Sequence, residues 1–424
     1  MITTLIIIVF CFGYLFIAAE QIVKINKAAV AIVTGVLCWT IYTLGGGIGV
    51  DQVNMELFSH LASISEILFF LLSAMTIVEL IDAHDGFDII TSVIRTRSKV
   101  RLLWIIGLLS FFLSAILDNL TTTIVMVSLL RKLIEDRDTR FYYIGVVVIA
   151  ANAGGAWTPI GDVTTTMLWI GHQITAWNIM KELFLPSLVS LLVPLVLISF
   201  RMKGELMLMQ PSNDSRPKIS IAERNIIFYL GLTSLICVPL FKTYTHLPPV
   251  MGILLALGIL WIITEKIHRR KPEEKKDVYS VVRALQRIDV TSVLFFMGIL
   301  LAIGALESVG LLHQLATLMN EKVGNLSLII MATGLASAIV DNVPLVAATM
   351  HMYDLQNYPT DNFVWEFLAY CAGTGGSILI IGSAAGVAAM GMEQISFGWY
   401  LRKIAIYALA GFFAGAMLYM MMEG

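Results

Sequence analysis

Runs of apolar residues close to the length that crosses a bilayer recur from one end of this 424-residue chain to the other. A spanning helix needs about 20 such residues. We read spans at roughly 2–20, 28–47, 61–83, 141–178, 183–200, 225–241, 249–264, 289–309, 363–394 and 398–421. The chain is 58% hydrophobic and 14% charged, whereas soluble domains have about a quarter of their residues charged. A water-facing surface needs more polar cover than that leaves. The fold class is therefore an all-α polytopic membrane protein. Met1-Ile2-Thr3-Thr4 has no basic n-region and no A-x-A site follows, so 2–20 reads as a spanning helix and not as a cleaved signal.

Two further apolar stretches, 102–134 and 325–353, are each divided by an Asp-Asn pair, Asp118-Asn119 and Asp341-Asn342. Their arms are too short to span comfortably, and each stretch reads as a re-entrant hairpin. Basic residues test this reading, because short cytoplasmic loops collect Lys and Arg. The clusters are Lys24 and Lys27; Arg95, Arg97, Lys99 and Arg101; Arg131, Lys132, Arg137 and Arg140; Arg201 and Lys203; His268 to Lys271 with Lys275 and Lys276; and Arg402 with Lys403. Ten spans put them all on one side only if 102–134 does not cross, and both termini then lie outside. Loops 48–60 and 354–362 are basic-poor and carry Asp51, Glu56, Asp354 and Asp361. Segment 266–287, mixed in charge, is expected to be a solvated linker leading into a short interfacial helix.

The chain repeats itself. Ser114-Ala-Ile-Leu-Asp118-Asn119 returns 223 residues later as Ser337-Ala-Ile-Val-Asp341-Asn342, and Gly154-Gly155 through Gly161 returns 221 residues later as Gly375-Gly376 through Gly382. We divide it into N-terminal scaffold spans (1–60), repeat 1 (61–201, with hairpin 102–134 and broken helix 141–178), scaffold spans with cytoplasmic linkers (202–288), and repeat 2 (289–424, with hairpin 325–353 and broken helix 363–394). By the basic clusters the first hairpin enters from the cytoplasm and the second from outside, which makes the repeats inverted. Inverted repeats with discontinuous helices are a recurring plan of secondary transporters, with the ion site at the midplane.

An ionised Asp at the bilayer centre costs several kcal/mol and marks function by default. Each hairpin tip offers a carboxylate, an amide and freed backbone carbonyls, the oxygen donors that hard cations prefer. Asp118, Asn119, Asp341 and Asn342 are the expected ligands of a Na+ or Li+ ion. Thr121 and Thr122, with Thr123, add hydroxyls at the first tip, where the second has Val343-Pro344-Leu345. The bland alternative is that each Asp only caps the returning arm. The second pair of elements places Asn152, Thr158, Asp162, Thr164 and Thr165 around Gly154, Gly155, Pro159 and Gly161, echoed by Thr374, Ser377 and Ser383 around Gly375, Gly376 and Gly382. Broken backbone at membrane depth survives only in protein or beside a polar cavity. Helix packing alone explains the glycines, but not Asn152, Asp162 and Thr164 together. Glu66 and Glu79 are candidate proton-pathway groups. His60, His84 and His172 are candidate pH sensors. Cys11, Cys38, Cys237 and Cys371 form no metal or redox spacing and read as small buried residues.

The LDN-LTTT tip, the AGGAWTPIGDVTTTMLW segment and the SAIVDNVPL repeat resemble NhaD-type sodium/proton antiporters of the ion transporter superfamily. The likeness runs over most of the chain and is densest at 114–170. Dicarboxylate, citrate and arsenite carriers of the superfamily share the hairpins and glycine breaks but tend to carry other tips. The resemblance implies a homodimer in the bacterial inner membrane, of elevator type, with a scaffold part and a mobile part. It further implies that Asp118, Asn119, Asn152, Asp162, Thr164, Thr165, Ser337, Asp341, Asn342 and Ser377 line the ion path.

The expected function is exchange of Na+ (or Li+) for H+, the two competing for buried carboxylates. The rival within transport is a Na+-coupled carrier of a small anion such as a dicarboxylate. A channel or an intramembrane enzyme is the rival outside it. No H-E-x-x-H, G-x-S-x-G or Walker-type motif is present, so an enzyme is not expected. No cofactor and no nucleic-acid partner are expected either; the lipid bilayer is the medium.

Overall fold

The computed structural model describes residues 2–18, 20–45, 49–87, 89, 96–202, 204–206, 219–269, 271–272 and 278–423. Arg95, Lys203, Arg270, Lys275 and Lys276, invoked for orientation, lie outside the described residues, as does most of the linker core at 273–277. The helices in order are α1 (Ile2–Ala18), α2 (Glu20–Val23), α3 (Lys27–Gly45), α4 (Val50–Ala83), α5 (Lys99–Leu117), α6 (Asn119–Leu133), α7 (Arg137–Gly155), α8 (Val163–Ile170), α9 (Ala176–Ser199) and α10 (Ile221–Thr245). They continue as α11 (Pro249–His268), α12 (Val281–Arg287), α13 (Val290–Ser308), α14 (Leu311–Val323), α15 (Leu326–Ala336), α16 (Asn342–Met352), α17 (Phe363–Gly375), α18 (Ala384–Glu393), α19 (Phe397–Lys403) and α20 (Ala405–Glu423).

Eight of these, α3, α4, α5, α9, α10, α11, α13 and α20, are long and apolar enough to cross a membrane. The multi-pass reading stands, with adjustments. Arm α5 has 19 residues, about 28 Å of helix, so the expectation that both arms of the first hairpin are too short fails for that arm. Both arms of the second hairpin, α15 and α16, have 11 residues. Helix α4 begins at Val50, eleven residues before the expected span, and its 34 residues reach about 51 Å, well beyond a hydrocarbon core. Amphipathic α14 was not expected. The last span is cut at Ile404, which joins α19 to α20. Cys38 and Cys371 are buried, but Cys11 and Cys237 face outward from their helices, against the expectation for all four; every one is a free thiol.

Every residue of α7 from Tyr143 to Gly155 and of α17 from Val364 to Gly375 is buried, so the two broken helices form the centre. Helix α5 packs on α7, and α15 on α17, in the same way. In the first pair Ser114 Oγ donates to the Ala151 carbonyl at 2.6 Å; in the second Ser337 Oγ donates to the Ala372 carbonyl at 2.8 Å. Glycine is required at both contacts. A Cβ on Gly154 would lie 2.1 Å from the Phe111 carbonyl oxygen, and one on Gly375 would lie 2.0 Å from that of Gly334. The repeat seen in the sequence is thus a repeat of backbone contacts. Around this centre α9 packs on α20, while α3, α4, α10, α11 and α13 form a separate layer. Trp177, Phe200 and Tyr244, at helix ends, are largely exposed, as aromatic side chains at membrane interfaces are.

Candidate functional site

Four helices of the central body begin at breaks, and each begins with a polar cap. Asp118 Oδ1 accepts from the Thr121 amide at 2.7 Å, Asp162 Oδ1 from the Thr164 amide at 3.2 Å, Asp341 Oδ1 from the Val343 amide at 3.2 Å, and Ser383 Oγ from the Gly386 amide at 3.2 Å. The reason is local: the first amides of a helix have no intrahelical acceptor, and Asp and Ser supply one. At Asp162 the cap is reciprocal, because the Asp162 amide donates to Thr165 Oγ1.

One chain of hydrogen bonds links these four helix starts. Asn119 Nδ2 donates to Asp162 Oδ2 at 2.9 Å and to Asn152 Oδ1 at 3.1 Å. Asn342 Nδ2 donates to the same Asp162 Oδ2 at 3.2 Å. Asn152 Nδ2 donates to Ser383 Oγ at 2.9 Å. Asp162 is 2% exposed and Asn152 wholly buried. Asp162 therefore sits at the middle, with the asparagine of each hairpin tip on one of its oxygens. A cavity of about 20 Å³, lined by Asp118, Asp162, Thr166, Leu117, Phe70 and Val238 among others, lies beside it. That is room for one water-sized occupant.

The structure sorts the expected residues. Asn119, Asn152, Asp162 and Asn342 come together. Thr122, Thr123 and Thr164 have buried hydroxyls without a hydrogen-bond partner among the described residues. Thr165 closes the Asp162 cap. Asp118 reaches the cavity but is also engaged by Thr121, whose hydroxyl donates to its Oδ2 at 2.8 Å. Asp341 meets Lys27 Nζ with its Oδ2 at 3.2 Å. Both tip aspartates thus do the capping that the bland reading assigned to them. Four other hydroxyls are spent on backbone carbonyls: Thr158 on Ala115, Ser337 on Ala372, Thr374 on Tyr370 and Ser377 on Thr374. Sequence reading missed Lys27 as a partner. Ser383, named there among the polar residues of the second break, joins the chain through Asn152.

The weaker candidates lie elsewhere. Glu66, His60 and His172 line a second cavity of about 410 Å³ with Gln173 and His351, where His351 Nδ1 meets Glu307 Oε2 at 2.6 Å. Glu79 accepts from Arg287 at 3.4 Å. The Nε2 atoms of His84 and His268 are 2.9 Å apart.

Residues 14–365 match the CitMHS family, described as citrate transporter. The chain is 50% identical to "Sodium/proton antiporter 1" of Arabidopsis thaliana over 97% of its length and 71% of that protein's. It is 32% identical to "Na(+)/H(+) antiporter NhaD" of Alkalimonas amylolytica, over 93% of the chain and 84% of that protein. Among solved structures it is similar to the Alcanivorax borkumensis YdaH transporter, whose crystal structure is described as having an unusual topology. That likeness has a TM-score of 0.60 at 14% identity and covers 93% of this chain and 98% of the other. It shows the fold.

Proposed function

The chain belongs to the CitMHS family and, with its NhaD relatives, to the NhaD-type sodium/proton antiporters of the ion transporter superfamily, and we propose that it exchanges Na+ (or Li+) for H+ as a secondary transporter. The observation that carries this reading is the Asp162 carboxylate held between the asparagines of both hairpin tips.

The chemistry follows from the helix starts. The beginning of a helix carries a partial positive charge and welcomes an anion. Four of them meet here, and three are already capped by an aspartate of the chain itself, Asp118, Asp162 and Asp341. An incoming dicarboxylate finds its place taken and meets like charge. A small cation finds carboxylate, amide and hydroxyl oxygens. The family description favours the anion carrier as second reading; the three aspartates weigh against it.

Asn119 and Asn342 aim N–H groups at Asp162. Rotation of each amide about its terminal bond turns its carbonyl oxygen inward, and with the Asp162 carboxylate this offers a set of oxygens suited to a hard cation. A proton on Asp162 cancels the charge that recruits the ion. Proton and cation therefore compete for one group and each expels the other. Asp118, on the cavity, and Asp341 complete the charge around the ion. Thr158, Ser337, Thr374 and Ser377 hold the broken backbone that frames it. The two repeats are inverted in the bilayer, and the working unit is a homodimer with a mobile and a fixed part. The bacterial relative supports a bacterial inner membrane and the plant relative another; the chemistry asks only for a proton-tight bilayer.

The test is direct. Purified protein goes into vesicles with an acidic lumen and an internal pH dye, challenged in turn with Na+, Li+, K+ and succinate. Na+ or Li+ outside should drive proton efflux, with succinate inert. Succinate uptake with no Na+-driven pH change would overturn the reading in favour of the carboxylate carrier.

A further inference from the structure

Lys27 stands at the first position of α3, outside both hairpins. A positive charge there opposes the helix dipole, so the position needs a partner to explain it. The loop before α3 sets the place of this residue: the Lys27 amide donates to Glu20 Oε1 at 2.9 Å, and Asn26 Oδ1 accepts from the Ala28 amide at 2.8 Å. Lys24, three residues earlier, is exposed and suffices as an orientation signal. Lys27 turns inward instead. Its ammonium lies 3.2 Å from Asp341 Oδ2 and 4.3 Å from the centre of the Phe295 ring, both sites favourable to a cation. Asp341 is joined through its neighbour Asn342 to Asp162, so the ammonium occupies a cation position one residue from the central carboxylate.

We propose that Lys27 is a built-in competitor of the transported cation, its ammonium holding the second hairpin tip through Asp341 while the site is empty and giving up that carboxylate when the ion arrives. This rests on the cation-binding reading of the site. An ammonium tethered to a separate helix cannot leave with the cargo, so it keeps the tip neutral without being transported. It also weakens binding, which speeds release. Lys27 is a positioning residue, since it acts on the ion through Asp341.

The experiment measures Na+ binding to the purified full-length protein by titration calorimetry, with choline chloride holding ionic strength and pH constant, alongside exchange in vesicles. Lys27→Met removes the competitor at nearly constant length, and Na+ should bind about fivefold tighter, the effect expected of one partly screened charge pair. The Na+ KM of exchange should fall in parallel without a rise in maximal rate. Lys27→Arg supplies a two-pronged guanidinium that grips a carboxylate harder, and Na+ binding should weaken. In an Asp341→Asn background neither change should matter. Unchanged or weaker binding in a folded Lys27→Met protein overturns the proposal, as does a lack of measurable Na+ binding in wild type and variant alike. If Lys27→Met does not fold, Lys27→Arg decides: binding equal to or tighter than wild type overturns it. Binding that follows the series while wild-type vesicles show no Na+-driven proton efflux leaves the competitor standing and removes the exchange reading. Exchange with binding indifferent to both variants does the reverse.

Discussion

Asp162 takes amide donors from two hairpins that are 223 residues apart in the chain, whereas Asp118 and Asp341 serve their own helix starts. Loss of charge should therefore matter most at Asp162. Asp162→Asn keeps the shape and should abolish Na+-driven proton efflux in vesicles, while Asn119→Ala and Asn342→Ala should raise the Na+ KM with exchange retained. Thr158 and Ser337 give a contrast, since their hydroxyls satisfy carbonyls. Thr158→Ala and Ser337→Ala should cost about 1 kcal/mol of stability each, read as a lower melting temperature, and leave the KM within about twofold. That Asp-Asn in apolar sequence marks the site was legible from the chain alone, because buried charge is costly. Which of the two neighbours faces the centre was not. A helix cap points its carboxylate back at its own amides, and only the packing of both repeats shows that the asparagine is left to reach Asp162.

At the scale of the elements, the glycine breaks were legible for the same reason as the tips: an apolar run interrupted twice at one offset needs a shared geometry. The contacts give that geometry a test. Ala at Gly154 or Gly375 pushes a Cβ into backbone carbonyls at 2.1 and 2.0 Å, which cannot move as a side-chain end can. Each change should cost about 1–3 kcal/mol or more and lower the melting temperature in detergent. Gly391→Ala, where nothing among the described residues lies within 4 Å, should be neutral. Helix lengths were less legible. Charge at Glu56 and His60 hid the early start of α4, and α14 has the mixed face of a surface helix, which periodicity of a purely apolar span does not reveal. The break at Ile404 carries no Gly or Pro to announce it.

Across the whole molecule the loop after each broken helix is held by the start of the other one. After α8, the Thr175 amide and hydroxyl donate to Asp361 at 2.5 and 2.7 Å, and the Asp361 amide donates to the Gln173 carbonyl at 2.8 Å. At the end of α18, buried Glu393 accepts from Arg131 and, at 3.0 Å, from Arg140, while Arg137 donates to its backbone carbonyl at 2.9 Å. One clamp is built on an aspartate and the other on three arginines. Glu393→Gln leaves two of those arginines without a carboxylate and should destabilise the protein by about 3 kcal/mol, read from thermal melting of the purified chain. The difference in charge also predicts the topology. Positive charge collects on the cytoplasmic side, so the arginine clamp belongs there and the aspartate clamp on the far side. Asp138 and Gln356 are exposed beside the two clamps. Single cysteines there, with Cys11, Cys38, Cys237 and Cys371 replaced, should react with a membrane-impermeant maleimide from opposite faces of sealed vesicles. Labelling of both positions from the same face would mean that the repeats are not inverted. The two tips would then have entered from one side, and an ion at Asp162 would have no second side to reach through the twin hairpin.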